Sequence, residues 1–207
     1  MPDLVLAIDQ GTTGTTALLL DSNVRVVGTH NVEFPNHYPQ PGHVEHDTSE
    51  IWSSVAAAVT GVLEKTGTDV GRIAALGVTN QRETSVFWDR NTGEPLHRAL
   101  VWQDRRTADR CQALKDGGHE ALFKRKTGLV LDPYFSGTKA AWILDNVDGA
   151  RAADPNSANG VEIDFRLRCG FANRISDPFQ ARFHSLVSSR SLSLCGQNFK
   201  RAVHHSR

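Results

Sequence analysis

At 207 residues, with 39% hydrophobic and 22% charged side chains, the chain has the length of one ordinary domain or slightly more and a globular composition. Its 23 Lys and Arg balance 23 Asp and Glu, which argues against nucleic-acid or membrane binding driven by net charge. The balance is uneven: residues 1–150 carry 14 basic against 19 acidic side chains, and 151–207 carry 9 against 4, eight of the nine being Arg.

The first apolar run, Leu4-Val5-Leu6-Ala7-Ile8, is too short for a signal peptide or a membrane span, so the cytoplasm is the expected compartment. The run reads as a strand buried on both faces. Residues 11–14 supply a turn, 15–20 a second strand and 24–34 a third, with polar turns between them, which predicts an antiparallel meander. His37-Tyr38-Pro39-Gln40-Pro41-Gly42 is a loop. Asp47 and Glu50 have the spacing of a capping box, and Ile51, Val55, Val59, Val62 and Leu63 recur at helical spacing, predicting an amphipathic helix over 48–65. Residues 73–78 read as another buried strand, 85–88 and 99–102 as further strands, and 104–115, 118–126 and 137–147 as helices. This order predicts a mixed α/β layered domain over 1–150.

From about residue 151 the apolar residues keep neither period, and Trp, present four times before residue 150, is absent. The expectation is a basic, irregular, disordered C-terminal tail over 151–207. The abrupt change of composition suggests an out-of-frame origin. Cys111, Cys169 and Cys195 form no C-x-x-C pair and read as free thiols in a reducing compartment.

Four segments are candidates for chemistry. Asp9-Gln10-Gly11-Thr12-Thr13-Gly14 lies between two strands. A carboxylate at a strand end can hold Mg²⁺, and turn N–H groups with Thr hydroxyls can bond phosphate; the same residues would equally make a plain hairpin turn. Asn80-Gln81-Arg82-Glu83-Thr84 follows a strand, where ligands gather in open α/β sheets. An adjacent cation and carboxylate suit a polyol, whose hydroxyls both donate and accept, or form a surface ion pair. Trp102 in Val-Trp-Gln-Asp-Arg-Arg-Thr and Tyr134 in Asp-Pro-Tyr-Phe-Ser-Gly-Thr-Lys could pack on and bond a polyol, or belong to an ordinary core.

Taken in this order, with Pro-Gly-His-Val-Glu-His-Asp between the first and second, these segments closely resemble glycerol kinase. It belongs to the sugar-kinase family with the actin-like ATPase fold. The resemblance covers residues 4–148. It implies a ribonuclease-H-like N-terminal domain and transfer of the γ-phosphoryl of ATP to a terminal hydroxyl of glycerol. It further implies that Asp9 lies near Mg²⁺, that Thr12 and Thr13, with Gly14 in the same turn, meet nucleotide phosphates, and that Arg82, Glu83 and Tyr134 bond glycerol while Trp102 packs on its carbons.

Two departures stand out. Gly14 and Thr16 occupy positions where the family often has Ser and Arg, and the missing Arg removes a charge-assisted phosphate contact. By the resemblance, the catalytic-base Asp, the adenine pocket and the second ATPase-like domain lie beyond residue 207. No catalytic residue is therefore expected in this chain, which reads as a truncated, inactive fragment. A pentulose- or gluconate-type sugar kinase and a non-enzymatic binding module are the alternatives. No nucleic-acid or membrane partner is expected, and oligomeric state is not legible.

Overall fold

The computed structural model describes residues 2–89, 92–151 and 161–163. In chain order these form β1 (Leu4–Gln10), β2 (Gly14–Leu20), β3 (Val26–Glu33), β4 (Glu45–His46), α1 (Thr48–Thr66), β5 (Ile73–Asn80), β6 (Phe87–Asp89), β7 (Ala99–Leu100), α2 (Ala108–Asp116), α3 (Glu120–Thr127), α4 (Ser136–Asn146) and β8 (Val161–Ile163). They divide into two compact units. One takes the described residues of Met1–Glu33 and Ser53–Asn80, the other Phe34–Trp52 and the described residues of Gln81–Arg168.

The first unit is built on a four-stranded sheet of order β3-β2-β1-β5. The meander is as the turn chemistry predicts: β1 pairs antiparallel with β2, and β2 with β3. After α1, β5 returns parallel to β1, which needs a crossover and finds it in the helix. From α1, Val55, Ala58, Val59 and Val62 pack on Leu6, Ile8, Ala17 and Leu19. A side chain at Gly61 would come within 2.4 Å of the His30 ring, so glycine allows the helix its approach to β3.

Two burial expectations are corrected. Leu4, Leu6, Ile8 and Gln10 of β1 are buried while Val5 and Ala7 are half-buried and Asp9 is exposed, because α1 covers one face of the strand. β5 is not a buried strand: Ala74, Ala75, Gly77, Val78 and Thr79 are exposed, Val78 at 57%. An apolar run reads alike in a central and an edge strand, and among the described residues β5 is the edge of this sheet.

The N-terminus of α1 keeps half of the expected capping box. Asp47 Oδ1 accepts the Ser49 N–H at 2.9 Å, whereas Glu50 Oε2 pairs with His37 Nε2 at 2.7 Å, the nearby imidazole outcompeting a return to the Asp47 N–H.

In the second unit, β4 pairs with β7 and β6 with β8, both antiparallel. Ala140 and Ile143 of α4 pack with Phe87, Leu100 and Ala150. The predicted helix at 104 begins at Ala108 instead. The intervening residues are tied into loops, with the Arg105 N–H donating to Gly42 O and the Arg106 N–H to Asp104 Oδ1. Cys111 is a free, buried thiol. Beyond Arg151, the expected tail lies outside the described residues except at Val161–Ile163. There the chain forms β8, paired with β6.

Candidate functional site

In the first unit, the ladder registers set Asn31, Thr16, Asp9 and Thr79 in one row across β3, β2, β1 and β5. Residues directly opposite one another share a face, so this polar row crosses the sheet near the carboxyl ends of its two parallel strands. The Asp9 side chain is exposed and makes no hydrogen bond or ion pair among the described residues. Thr16 Oγ1 accepts from Asn31 Nδ2 at 2.9 Å.

The turn beside Asp9 is closed by the Gly11 N–H donating to Gly14 O at 2.9 Å and by Gln10 Nε2 donating to Gly11 O at 2.7 Å. Thr12 is half-buried and Thr13 exposed. A Cβ on Gly14 would lie 2.9 Å from Val32 O, so the absence of a side chain there has a packing reason in β3.

These residues suit magnesium and phosphate. The described residues contain no cluster of three or more His, Cys, Asp or Glu able to cage a metal. Magnesium does not require one: it keeps several waters and takes one or two carboxylates together with substrate phosphates. A carboxylate with no partner among the described residues, beside a Thr-lined turn, is chemically compatible with that need.

In the second unit, Glu83 is bonded by Ser136, two residues after Tyr134, and the Tyr134 ring meets that of Trp102, while Arg82 adjoins Glu83 in sequence. Glu83 has left-handed backbone (φ 62), a conformation costing a non-glycine residue about 1–2 kcal/mol. Its Oε2 accepts from both the N–H and the Oγ of Ser136, at 3.0 and 2.6 Å. Oε1 makes no hydrogen bond among the described residues. The exposed Arg82 guanidinium likewise has no partner there. The Trp102 and Tyr134 rings meet edge-on with centroids 5.8 Å apart.

Three supporting groups were missed in the sequence. Lys139 is fully buried and donates to Pro133 O at 2.6 Å and Tyr134 O at 2.8 Å. Burial pushes its ammonium down to about 8, against the pull of Asp104, Glu83 and Asp132, so at neutral pH it is the cation. Its signal was a lysine in the apolar stripe of α4, four residues before Ile143. Ser136 lies within Asp-Pro-Tyr-Phe-Ser-Gly-Thr-Lys, and nothing in that segment marks it as a partner of Glu83. The third is a hydrogen-bond chain. Gln81 Nε2 donates to His46 Nδ1 at 3.2 Å, so His46 Nε2 carries the proton that it donates to Asn36 Oδ1 at 2.6 Å. Thr84 Oγ1 donates to Gln81 Oε1 at 2.8 Å and accepts the Trp102 N–H at 3.3 Å. The chain ties the Arg82–Glu83 turn to the strand end that carries Trp102.

His46 makes this network pH-sensitive. Burial, with His37 nearby, pushes its imidazole down to about 4, and Glu50 pulls the other way. The unfolded chain takes up this proton near pH 6.5 and the folded chain only near 4, so stability falls as pH drops through that window, by up to about 3 kcal/mol. Unfolding midpoints between pH 7 and 4 should show the slope. His46→Gln, which keeps a donor and an acceptor without titrating, should flatten it; an unchanged slope would assign the effect to other groups.

A family model, the N-terminal domain of the FGGY family of carbohydrate kinases, matches residues 4–154. The chain belongs to the FGGY family of carbohydrate kinases. The glycerol kinases of Chelativorans sp. (strain BNC1) and Rhizobium rhizogenes are each 58% identical to it, over 151 and 152 residues, or 73% of this chain and 30% of theirs. The chain thus spans about 30% of the length of these curated FGGY relatives. Among solved structures, Plasmodium falciparum glycerol kinase with ADP superposes with a TM-score of 0.63 at 30% identity, covering 69% of this chain and 29% of that one. Gluconate kinase from Lactobacillus acidophilus superposes with a TM-score of 0.63 at 26% identity, covering 69% and 29%. The mixed α/β fold expected from the element order is the fold of this family's N-terminal domain.

Proposed function

We propose that this chain carries the polyol-binding residues and the first phosphate-binding turn of a glycerol kinase, an ATP-dependent enzyme that phosphorylates a terminal hydroxyl of glycerol in the cytoplasm. The observation that carries this reading is the pairing of Glu83, one oxygen pinned and the other open among the described residues, with Arg82, next to it in sequence and likewise without a partner among them. One acceptor and one cation can bind neighbouring hydroxyls of a small polyol. Trp102 would pack on its carbon edge and the Tyr134 hydroxyl would donate to it. Glycerol rather than a pentulose or gluconate is favoured by the 55–58% identity to proteins named glycerol kinase.

Asp9 would hold Mg²⁺, and the hydroxyls of Thr12 and Thr13 would bond phosphate oxygens of ATP, with Gly14 closing the turn. When bound, the metal neutralises charge on the phosphates. This chain's residues supply positioning, the larger part of such a reaction. At position 16, Thr takes the place of a phosphate-binding Arg. By the resemblance, the base and the second phosphate-binding domain belong to parts of the family that the matched 30% does not include. The described residues are therefore expected to bind glycerol and to supply no catalytic base. Among the described residues no helix is long and apolar enough to cross a membrane.

Tryptophan fluorescence, with Trp102 at the site, tests the ligand. Titration of the polypeptide with glycerol should give a saturable change that xylulose and gluconate do not, and a coupled assay with ATP and Mg²⁺ should show no turnover. No response to glycerol, or an equal response to xylulose, would reject the glycerol reading. Robust phosphorylation would show that the chain is catalytically sufficient.

A further inference from the structure

Two side chains that take no direct part in the proposed binding stand behind the polyol residues on the start of α4. The Ser136 N–H and Oγ both converge on Oε2 of Glu83. A carboxylate free to rotate offers its oxygens in many directions, whereas one held through a single oxygen by two donors offers the other in one. The hold also fastens the left-handed turn at Glu83 to a rigid helix end.

Three residues on, one turn along the helix, Lys139 Nζ reaches back to the carbonyls of Pro133 and Tyr134. The Tyr134 N–H donates to Asp132 Oδ1 at 2.8 Å, so the backbone of this segment is held on both sides of the ring-bearing residue. Tyr134 is 38% exposed, so burial alone does not fix its ring. A fully buried ammonium is costly to keep; here it spends its donors on the loop that presents a candidate ligand group.

We propose that Ser136 and Lys139 are the positioning pair of the polyol site: Ser136 selects which oxygen of Glu83 meets the ligand, and Lys139 sets the Tyr134 ring against Trp102. The proposal rests on the polyol reading above.

Lys139→Met keeps the stem and removes the ammonium. Glycerol affinity should fall about tenfold, and the unfolding midpoint should fall too, because the Pro133 and Tyr134 carbonyls lose their donor and Asp104, Glu83 and Asp132 lose a nearby cation. Unchanged affinity, or an affinity loss with the near-ultraviolet signature of the Trp102–Tyr134 pair unchanged, would overturn the Lys139 role. Ser136→Ala should likewise weaken glycerol about tenfold, and Ser136→Thr, which restores a hydroxyl, should recover it. Failure of that rescue would overturn the Ser136 role.

Two further readouts need no ligand. Near-ultraviolet circular dichroism from the Trp102–Tyr134 pair should change in Lys139→Met with the far-ultraviolet spectrum preserved. Amide exchange at Ser136 should accelerate in Glu83→Ala. If the wild-type polypeptide ignores glycerol while both signatures appear, the ligand reading falls and the positioning stands. If glycerol binds and Lys139→Met and Ser136→Ala bind it like wild type, the positioning falls and the ligand reading stands.

Discussion

Arg106→Met should destabilise the second unit by about 4 kcal/mol, the cost of stranding buried partners of an ion pair. The Arg106 side chain is 2% exposed, with Asp104 at 0% and Glu45 at 8%. Its Nη2 donates to Glu45 Oε1 at 2.7 Å and to Asp104 Oδ2 at 2.9 Å, and its Nε lies 2.9 Å from Asp104 Oδ1. The guanidinium also sits 4.4 Å from the centroid of the Trp142 ring. Methionine fills much of the volume and leaves two carboxylates buried without their cation. Asp104 would retain the Val44 N–H on Oδ2 at 2.7 Å and the backbone N–H of residue 106 on Oδ1 at 2.9 Å, two hydrogen bonds against a full charge.

Urea unfolding measures the effect, and two comparisons identify its cause. Arg72 pairs with Asp3 at 2.6 Å with both side chains about half exposed, so Arg72→Met should cost under about 1 kcal/mol. Neutralising the stranded acids together, in Arg106→Met with Asp104→Asn and Glu45→Gln, should recover a large part of the loss. A single-variant effect no larger than that of Arg72→Met would show that the triad contributes little. The triad matters to the site because Asp104 lies two residues after Trp102, and its carboxylate ties this strand end to Val44.

Much of the architecture was legible because local chemistry and tertiary packing agree there. Polar turns at 11–14 and 21–23 separate short apolar runs, and the meander follows. The helical stripe Val55, Val59 and Val62 becomes the face that meets the sheet. Disagreements arose where the deciding partner is remote in sequence. Nothing local to residues 73–80 says that β5 is an edge, since that depends on which strands lie beside it. Glu50 carries a helix-start signal and is captured by His37 from a loop thirteen residues away. Residues 104–107 have helical composition but spend their backbone groups on Val101, Gly42 and Asp104.

The candidate site divides in the same way. Residue types at Asp9, Arg82, Glu83, Trp102 and Tyr134 named the available chemistry. Which oxygen of Glu83 is open is decided by Ser136, fifty-three residues later. Position 16 combines both kinds of information. The family pattern marks the missing Arg, and the ladder shows that Thr16 stands directly opposite Asp9. A cation there would face the carboxylate as well as any bound phosphate. In this chain Thr16 instead takes a hydrogen bond from Asn31.

On the proposed reading, Glu83→Ala should weaken glycerol about a hundredfold, the largest binding effect expected of any single change. Losing a charged acceptor removes about 1.5–3 kcal/mol, or roughly ten- to more than a hundredfold. The upper part of that range applies because a polyol hydroxyl brought out of water would lose its acceptor. Alanine at the same left-handed position has a backbone preference similar to that of glutamate, so the turn itself is not favoured or penalised by the exchange. Glu83→Gln should fall between: the amide oxygen still accepts, yet its NH₂ cannot take the two donors of Ser136. Either the amide flips and gives up its open acceptor, or the Ser136 contacts break. Arg82→Ala should cost less than Glu83→Ala, since an exposed guanidinium stays partly solvated as it binds. Fluorescence titration of the three variants against glycerol ranks them. An order with Arg82→Ala worst would move the main recognition from the carboxylate to the cation. Near-wild-type affinity in Glu83→Ala would remove Glu83 from the site.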